Sequence, residues 1–253
     1  MEAVSLADRP DVAADAFAIP YGDGPGGFMQ SELVSKLVRR TRIVDRWPST
    51  TVALLEGGEC VARGVAVTFA SGLPGREPFP DRGWDQIVVW AVEDALDGQD
   101  VDAVCALEIA VHPAWQRRGL SAQVLAAMRA NAAGLGFSEL IAPVRPPDKA
   151  AEPWTAMAEY ATRKRGGGLP ADSWLRVHAR AGGRIVRIAP CSATIQASLD
   201  EWRGWTGVAL EEDGPVAVPG ALVPILVARQ LGVGVYVEPN VWMVHPLESD
   251  DRA

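Results

Sequence analysis

The stretch that most constrains the fold runs from residue 103 to residue 144. Ala103 to Val111 is almost wholly apolar, as a strand covered on both faces must be. A turn at His112 and Pro113 follows, then a basic, glycine-bearing loop from Gln116 to Ser121. From Leu120 to Ala133, the residues Leu120, Val124, Met128 and Ala132 form one stripe with Leu125 beside it. That spacing predicts an amphipathic helix, closed by Gly134 and Gly136. Leu140 to Val144 reads as the next strand, stopped by Arg145-Pro146-Pro147. A strand that runs into such a loop, with the loop opening a helix, can hold a pyrophosphate. The first helical N–H groups have no intrahelical partner, and the helix dipole adds positive charge at the same end. Arg117 and Arg118 supply full charges there. Gly119 lets a ligand approach the backbone without a Cβ in the way.

The rest of the chain organises around this unit. Residues 1–27 are acidic and then glycine-rich, and read as an arm or loop. Leu33, Leu37, Val38 and Val44 predict a first helix over 29–44. Two strands, 51–55 and 61–69, are split by Glu56-Gly57-Gly58-Glu59, a hairpin signal. After a Pro/Gly-rich loop at 70–83, Trp84 to Leu96 is apolar at helical spacing and ends near Gly98. A short helix is expected over 153–162 and another over 172–181, with Asp172 or Ser173 as its cap. Gly182-Gly183 then turns into a strand at 184–188, and 146–171 reads as an insertion beside the site. Beyond residue 190, a β-prone piece at 193–197, a Trp-rich piece at 202–205 and apolar runs at 216–227 and 233–244 predict further strands. Pro219, Pro224 and Pro239 weigh against central positions for them. The division expected is therefore an arm (1–27), a core (28–190, with the insertion 146–171) and an extension packed on the same domain (191–253).

Composition excludes some classes. A net charge of −8 argues against a nucleic-acid-binding surface, and the run Arg163-Lys164-Arg165 reads as a solvated loop or helix end. The three cysteines, Cys60, Cys105 and Cys191, lie far apart with no metal spacing and no disulfide framework. A reducing cytoplasm and no bound metal are the expectation. No secretory leader is expected in residues 1–20. No run reaches the about 18 apolar residues a membrane helix needs.

Gln116, Arg118, Gly119 and Ser121 resemble the acyl-CoA-binding signature of the GNAT-type N-acyltransferase superfamily, [Gln/Arg]-x-x-Gly-x-[Gly/Ala], with Ser121 in place of the final Gly or Ala. Ile109-Ala110-Val111-x-Pro113 resembles that family's fourth strand and its exit. The resemblance covers about residues 50 to 190. It implies an α/β fold with a mixed, largely antiparallel central sheet flanked by helices, here with an insertion after the fifth strand and a β-rich C-terminal extension. It implies acetyl-CoA or another acyl-CoA as co-substrate, held by Ile109, Ala110, Val111, Gln116, Arg117, Arg118, Gly119, Leu120, Ser121 and Ala122. A backbone N–H at a splay in the fourth strand would polarise the thioester carbonyl. The acyl group would pass to the amine of a small molecule by direct attack in a ternary complex. A carrier protein's phosphopantetheine arm is an alternative donor, although the two-arginine loop suits a pyrophosphate better than a single phosphodiester. A further alternative is a non-catalytic protein of the same fold that binds acyl-CoA.

Family members often place a tyrosine proton donor on the helix after the fifth strand. Aligning Gly182-Gly183-Arg184-Ile185 with the turn beyond it puts His178 at that position. Three roles stay open for it: acid to the thiolate, base for the amine, or neither. Tyr160 is the fallback donor, or a packing tyrosine. The strand position where several relatives carry a Glu or His as general base is Cys105 here, a poor base. The nearest carboxylate, Glu108, is either a base or a structural carboxylate paired with an arginine. Asp102 and His112 are weaker candidates, and His112 belongs to the turn. Of nine tryptophans, Trp154 and Trp174 flank the insertion and could line an acceptor pocket. The apolar run 221–227 could serve a homodimer face or simply the core.

Overall fold

The structure is a computed structural model and describes residues 1–20, 27–41 and 43–247. In chain order the strands are β1 (Glu2–Ser5), β2 (Val52–Glu56), β3 (Glu59–Phe69), β4 (Ala103–Val111), β5 (Glu139–Val144), β6 (Arg184–Ser198), β7 (Gly214–Val216), β8 (Ile225–Ala228) and β9 (Val233–Pro246). The helices are α1 (Ala13–Ala18), α2 (Leu33–Thr41), α3 (Gly83–Asp97), α4 (Leu120–Gly134), α5 (Met157–Thr162), α6 (Ser173–Arg180) and α7 (Leu199–Thr206). Among the described residues these strands form a single sheet in the order β1-β2-β3-β4-β5-β9-β8-β7, with β6 along the other edge of β9. Every pairing is antiparallel except β4 with β5. The expected mixed, largely antiparallel α/β sheet is therefore the fold observed.

Period-two alternation sorts the strand side chains onto two faces. Ala66, Val104, Leu140 and Met243 meet Leu120, Val124, Leu125 and Met128 of α4, together with Met157 and Tyr160 of α5 and Leu175 of α6. Their neighbours Val67, Cys105, Ile141 and Val244 pack on Ile87 and Ala91 of α3. A second core gathers Phe28, Trp202, Tyr236, Ala221, Ile225 and Val227 around the β8 end of the sheet. There the Trp202 indole donates to the Gly234 carbonyl at 2.9 Å. A Cβ on Gly234 would sit 2.7 Å from that indole, so the close approach requires glycine. The run 221–227 thus belongs largely to the core, with Leu226 exposed.

Several expectations are corrected. Residues 1–20 do not form a loose arm: β1 pairs with β2, and α1 packs its Ala16 beside Ala53 and Leu55. The glycine-rich stretch 21–26 and the Val44 side chain lie outside the described residues. Leu33 and Leu37 are exposed, so α2 does not bury the stripe they were expected to form, although Val38 is buried. The strands expected at 184–188 and 193–197 are one strand, β6, so the boundary drawn at 190/191 falls inside it. The Trp-rich piece is the helix α7, with Ser198 and Glu201 as a reciprocal cap. Pro239 lies within β9. It sits where the β6 register jumps from Ala189↔Asn240 to Ala193↔Glu238, past the last β5 pair at Val241 and before the β8 pairs begin at Val235. A residue without an N–H is tolerated in that gap.

The insertion is held by buried polar bonds. Lys149, fully buried, donates to the carbonyls of Glu152 (2.6 Å) and Leu222 (2.7 Å). Asp172 caps α6 through the N–H groups of Trp174 and Leu175, each at 2.9 Å, and accepts from the Tyr160 hydroxyl at 3.0 Å.

Candidate active site

β4 and β5 pair only at Val104↔Leu140 and Cys105↔Ile141 and then part. Among the described residues the β5-facing edge of β4 has no strand partner from Ala106 onward, and a cavity of about 380 Å³ opens in the gap. Ala106 to Ile109 line one wall, and Ala142 to Val144 of β5 line the opposite wall. The same parting leaves Pro143 without a ladder bond to lose on that side. A bulge reinforces the opening: Val65 pairs with Glu108 and Ala66 with Ala106, so Leu107 is the extra residue. Its carbonyl accepts from the Trp84 indole at 3.3 Å.

The basic loop leads into α4 at one end of this gap. Arg117 (φ 62°) and Gly119 (φ 76°) both take left-handed backbone conformations, and Gly119 is the N-cap of α4. A Cβ on Gly119 would meet no protein atom within 4 Å, so the turn needs glycine for its φ rather than for space. Gln116 donates to the Val111 carbonyl at 3.4 Å, and the Arg118 guanidinium lies 4.6 Å from the Trp115 ring. Ser121, in the first turn of α4, lines the cavity. These residues present helix N–H groups and cationic side chains beside an open strand edge, the parts that a pyrophosphate followed by a thioester requires.

The cavity is also acidic. Glu32, Glu108 and Glu238 line the cavity with Trp84, Trp174, Arg145 and Asn240. Glu32 caps α2 through the N–H groups of Val34 (2.8 Å) and Ser35 (2.5 Å). Glu238 accepts from Arg145 (2.9 Å) and from the Tyr236 hydroxyl (2.8 Å). Nearby, burial pushes the Asp85 carboxyl up to about 8, and the charges of Glu32 and Glu238 add to the rise.

His178 lines the cavity from α6. It is 3% exposed; its Nδ1 lies 2.9 Å from Nε2 of the fully buried His245, and Trp174 stands edge-on at 4.7 Å. Burial, with His245 beside it, lowers His178 to about 3. Burial and then the Arg129 charge lower His245 to about 4. Both rings are therefore neutral at neutral pH.

The remaining candidates fall elsewhere. The bulge at Leu107 shifts the alternation of β4 and brings Glu108 to the side of the sheet that carries Arg63, with which it forms an ion pair. Glu108 thus faces the cavity while paired with Arg63. Tyr160 does not line the cavity. Its hydroxyl is spent on Asp172 in the core, and burial together with that carboxylate pushes its pKa up. Cys105 is fully buried, and Asp102 bonds the Ser71 backbone. His112 accepts from the Ala114 N–H as a turn cap. Of the two tryptophans flanking the insertion, Trp174 lines the cavity, whereas Trp154 is 66% exposed on a separate surface. Sequence reasoning missed Glu238, Asn240 and His245. The available signal was a polar residue inside the otherwise apolar run 233–244 and at its end.

The chain is 37% identical over 189 residues to arginine N-acetyltransferase avaD of Aspergillus versicolor. The match takes in 67% of this chain and 65% of that protein, so the chain spans just under two thirds of its relative's length. The loading GNATL domain of CurA from Lyngbya majuscula superposes with a TM-score of 0.58 over 97% of this chain and 96% of that one, at 15% identity, a likeness of fold. No protein-family model matches the chain.

Proposed function

We propose that the chain is a GNAT-type, acyl-CoA-dependent N-acyltransferase acting on a cationic small-molecule amine, a reading supported by its 37% identical relative. The observation that carries the reading is the juxtaposition of a basic helix-opening loop, a parted β4–β5 edge and a carboxylate-lined cavity in one place. Arg117, Arg118 and the N–H groups that open α4 would take the pyrophosphate. The unpaired edge of β4 near Ile109 would direct a backbone N–H at the thioester oxygen, worth about 3–4 kcal/mol in comparable oxyanion sites. The amine nitrogen attacks the carbonyl carbon, a C–N bond forms and the C–S bond breaks. Over the reaction the amine gives up one proton and the thiolate takes one up, so no net proton is gained or lost from a neutral amine. Glu32 and Glu238 would attract the acceptor's second cationic group, a choice that also agrees with the arginine named in its relative.

The test is incubation of the purified protein with acetyl-CoA and, in turn, arginine, a decarboxylated guanidino amine, lysine and a neutral alkylamine, with product masses and free thiol followed together. Acylation of the guanidino amines ahead of the neutral one supports the reading. Saturable acyl-CoA binding with no acylation of any amine, including from an acyl-carrier donor, sinks it.

A further inference from the structure

We propose that Trp84 is a positioning residue: its indole N–H holds the Leu107 carbonyl, and through that peptide plane it sets the direction of the β4 N–H groups that face the thioester. The inference rests on reading the cavity as an N-acylation site. It goes further in assigning a residue outside β4, which neither the loop signature nor the strand pattern singled out, to the geometry of the carbonyl-polarising edge.

The bulge makes Leu107 the extra residue, so the β3 register gives it no opposite number. β5 has already parted from β4 at this level, since their last pair is Cys105↔Ile141. Among the described residues, neither neighbouring strand therefore fixes the Leu107 carbonyl, and an unbonded carbonyl at a bulge is free to turn. The Trp84 indole supplies the missing donor at 3.3 Å. A trans peptide is planar, so fixing the Leu107 carbonyl also fixes the Glu108 N–H on the opposite side of the same plane. Ile109, whose N–H is proposed to meet the thioester oxygen, carries it in the next peptide plane. A rotation at the bulge would pass directly to that N–H, and small misplacements at a reacting centre are costly.

The clamp is itself held in place. Trp84 stands in the first turn of α3, and its backbone N–H donates to Ser192 Oγ at 2.8 Å. Ser192 is fully buried in β6, within the stretch where the β6–β9 register jumps. Gly83 permits that approach, because a Cβ there would lie 2.7 Å from the Ser192 Cβ. On β3, Arg63 forms an ion pair with Glu108 and donates to the Ala16 and Ile19 carbonyls, both at 2.6 Å. Arg63 thus fixes the Glu108 side chain, whereas Trp84 fixes the main chain just before it. Trp84 also lines the cavity. A ring that merely walled the acceptor would not need its N–H, and that separates the two roles.

The experiment uses the full chain with Trp84 replaced by its benzothienyl analogue, which keeps the ring shape and carries sulfur in place of the N–H. Ser192→Ala is the second variant, which keeps the indole but frees its backbone. The benzothienyl protein is expected to lose about tenfold in kcat, with the KM of acyl-CoA and of the amine each within about twofold of wild type. Ser192→Ala should lose about threefold in kcat. The infrared carbonyl band of bound carbon-13-labelled acetyl-CoA should lie below its position in water for the wild type, and move back toward it in the benzothienyl protein. Without any ligand, the amide NMR signals of Glu108 and Ile109 should shift or broaden in that variant more than the others of β4. A folded benzothienyl protein with both amide signals unchanged would overturn the proposal. So would an acceptor KM that rises while kcat holds, since Trp84 would then be a wall of the acceptor site. If the benzothienyl protein does not fold, Ser192→Ala decides through the same signals. If the wild type acylates no amine, the functional reading fails on its own, and the amide signals still decide whether Trp84 holds the bulge.

Discussion

The two ends of the cavity are built on different principles. The end proposed for the acyl donor is mostly backbone: a strand edge left open where β4 and β5 part, a left-handed glycine and the first turn of α4. The end proposed for the acceptor is mostly side chain: Glu32, Glu238, Arg145 and the His178–His245 pair, gathered from segments distant in the chain. Backbone donors survive substitution of almost any side chain, so the donor end is robust and general. Buried charges depend on every partner being present, so the acceptor end is fragile and selective. Specificity should therefore change at one end without loss of the other.

The largest effect expected from the donor end is that of Gly119→Glu. A non-glycine residue at φ 76° costs about 1–2 kcal/mol, and the carboxylate opposes the phosphates. The Kd for acyl-CoA should rise roughly 100-fold by calorimetry, while Gly119→Ala should raise it only about tenfold. If both variants bound as the wild type does, the loop would not be the donor site. At the acceptor end, Glu238→Gln should raise the KM of a guanidino amine roughly tenfold, leaving the KM of acyl-CoA alone. An equal rise in both KM values would break the division between the two ends.

Acid should act mainly through the acceptor end. His178 and His245 are held neutral, at about 3 and about 4, against an ordinary value near 6.5. Between these limits the unfolded chain binds more protons than the folded one. The stability contributed by the pair is thus complete above about pH 6.5 and is lost as pH falls toward 4. Denaturant midpoints measured from pH 7 down to 4 should fall, and His245→Gln should flatten the slope. An unchanged slope would mean that the pair is not buried as described. The smallest effect belongs to Trp154→Ala, which should leave both KM values within about twofold, because that indole lies away from the cavity.

The same contrast explains what the sequence could tell. The strand–loop–helix unit was legible because its signals are local: an apolar run, a basic loop, a helical stripe and a glycine cap follow one another within residues 103–136. Even there the bulge at Leu107 was invisible, and with it the side of the sheet that Glu108 takes. The acceptor end rests on contacts such as His178–His245, 67 residues apart, and Arg145–Glu238, 93 apart. No local periodicity reports them. Pro239 also misled, because a proline tolerated at a register shift looks from sequence like a residue unfit for a central strand. Leu33 and Leu37 kept helical spacing yet stayed exposed, since spacing shows which residues share a face and not what that face meets.

The position of β9 bears on how the molecule comes to exist at all. It follows every other strand in the chain, yet it lies between β5 and β6 and anchors β8. Its pairings with β5 join residues about a hundred positions apart, the kind of distant closure that slows folding. A nascent chain emerging up to residue 232 would already hold the glycine loop and α4, but β5 would offer an open edge and His178 would have no companion. Such a half-made protein would hold the proposed donor loop before the residues opposite it, and its bare strand edge would be the moment of greatest exposure to aggregation or to a chaperone.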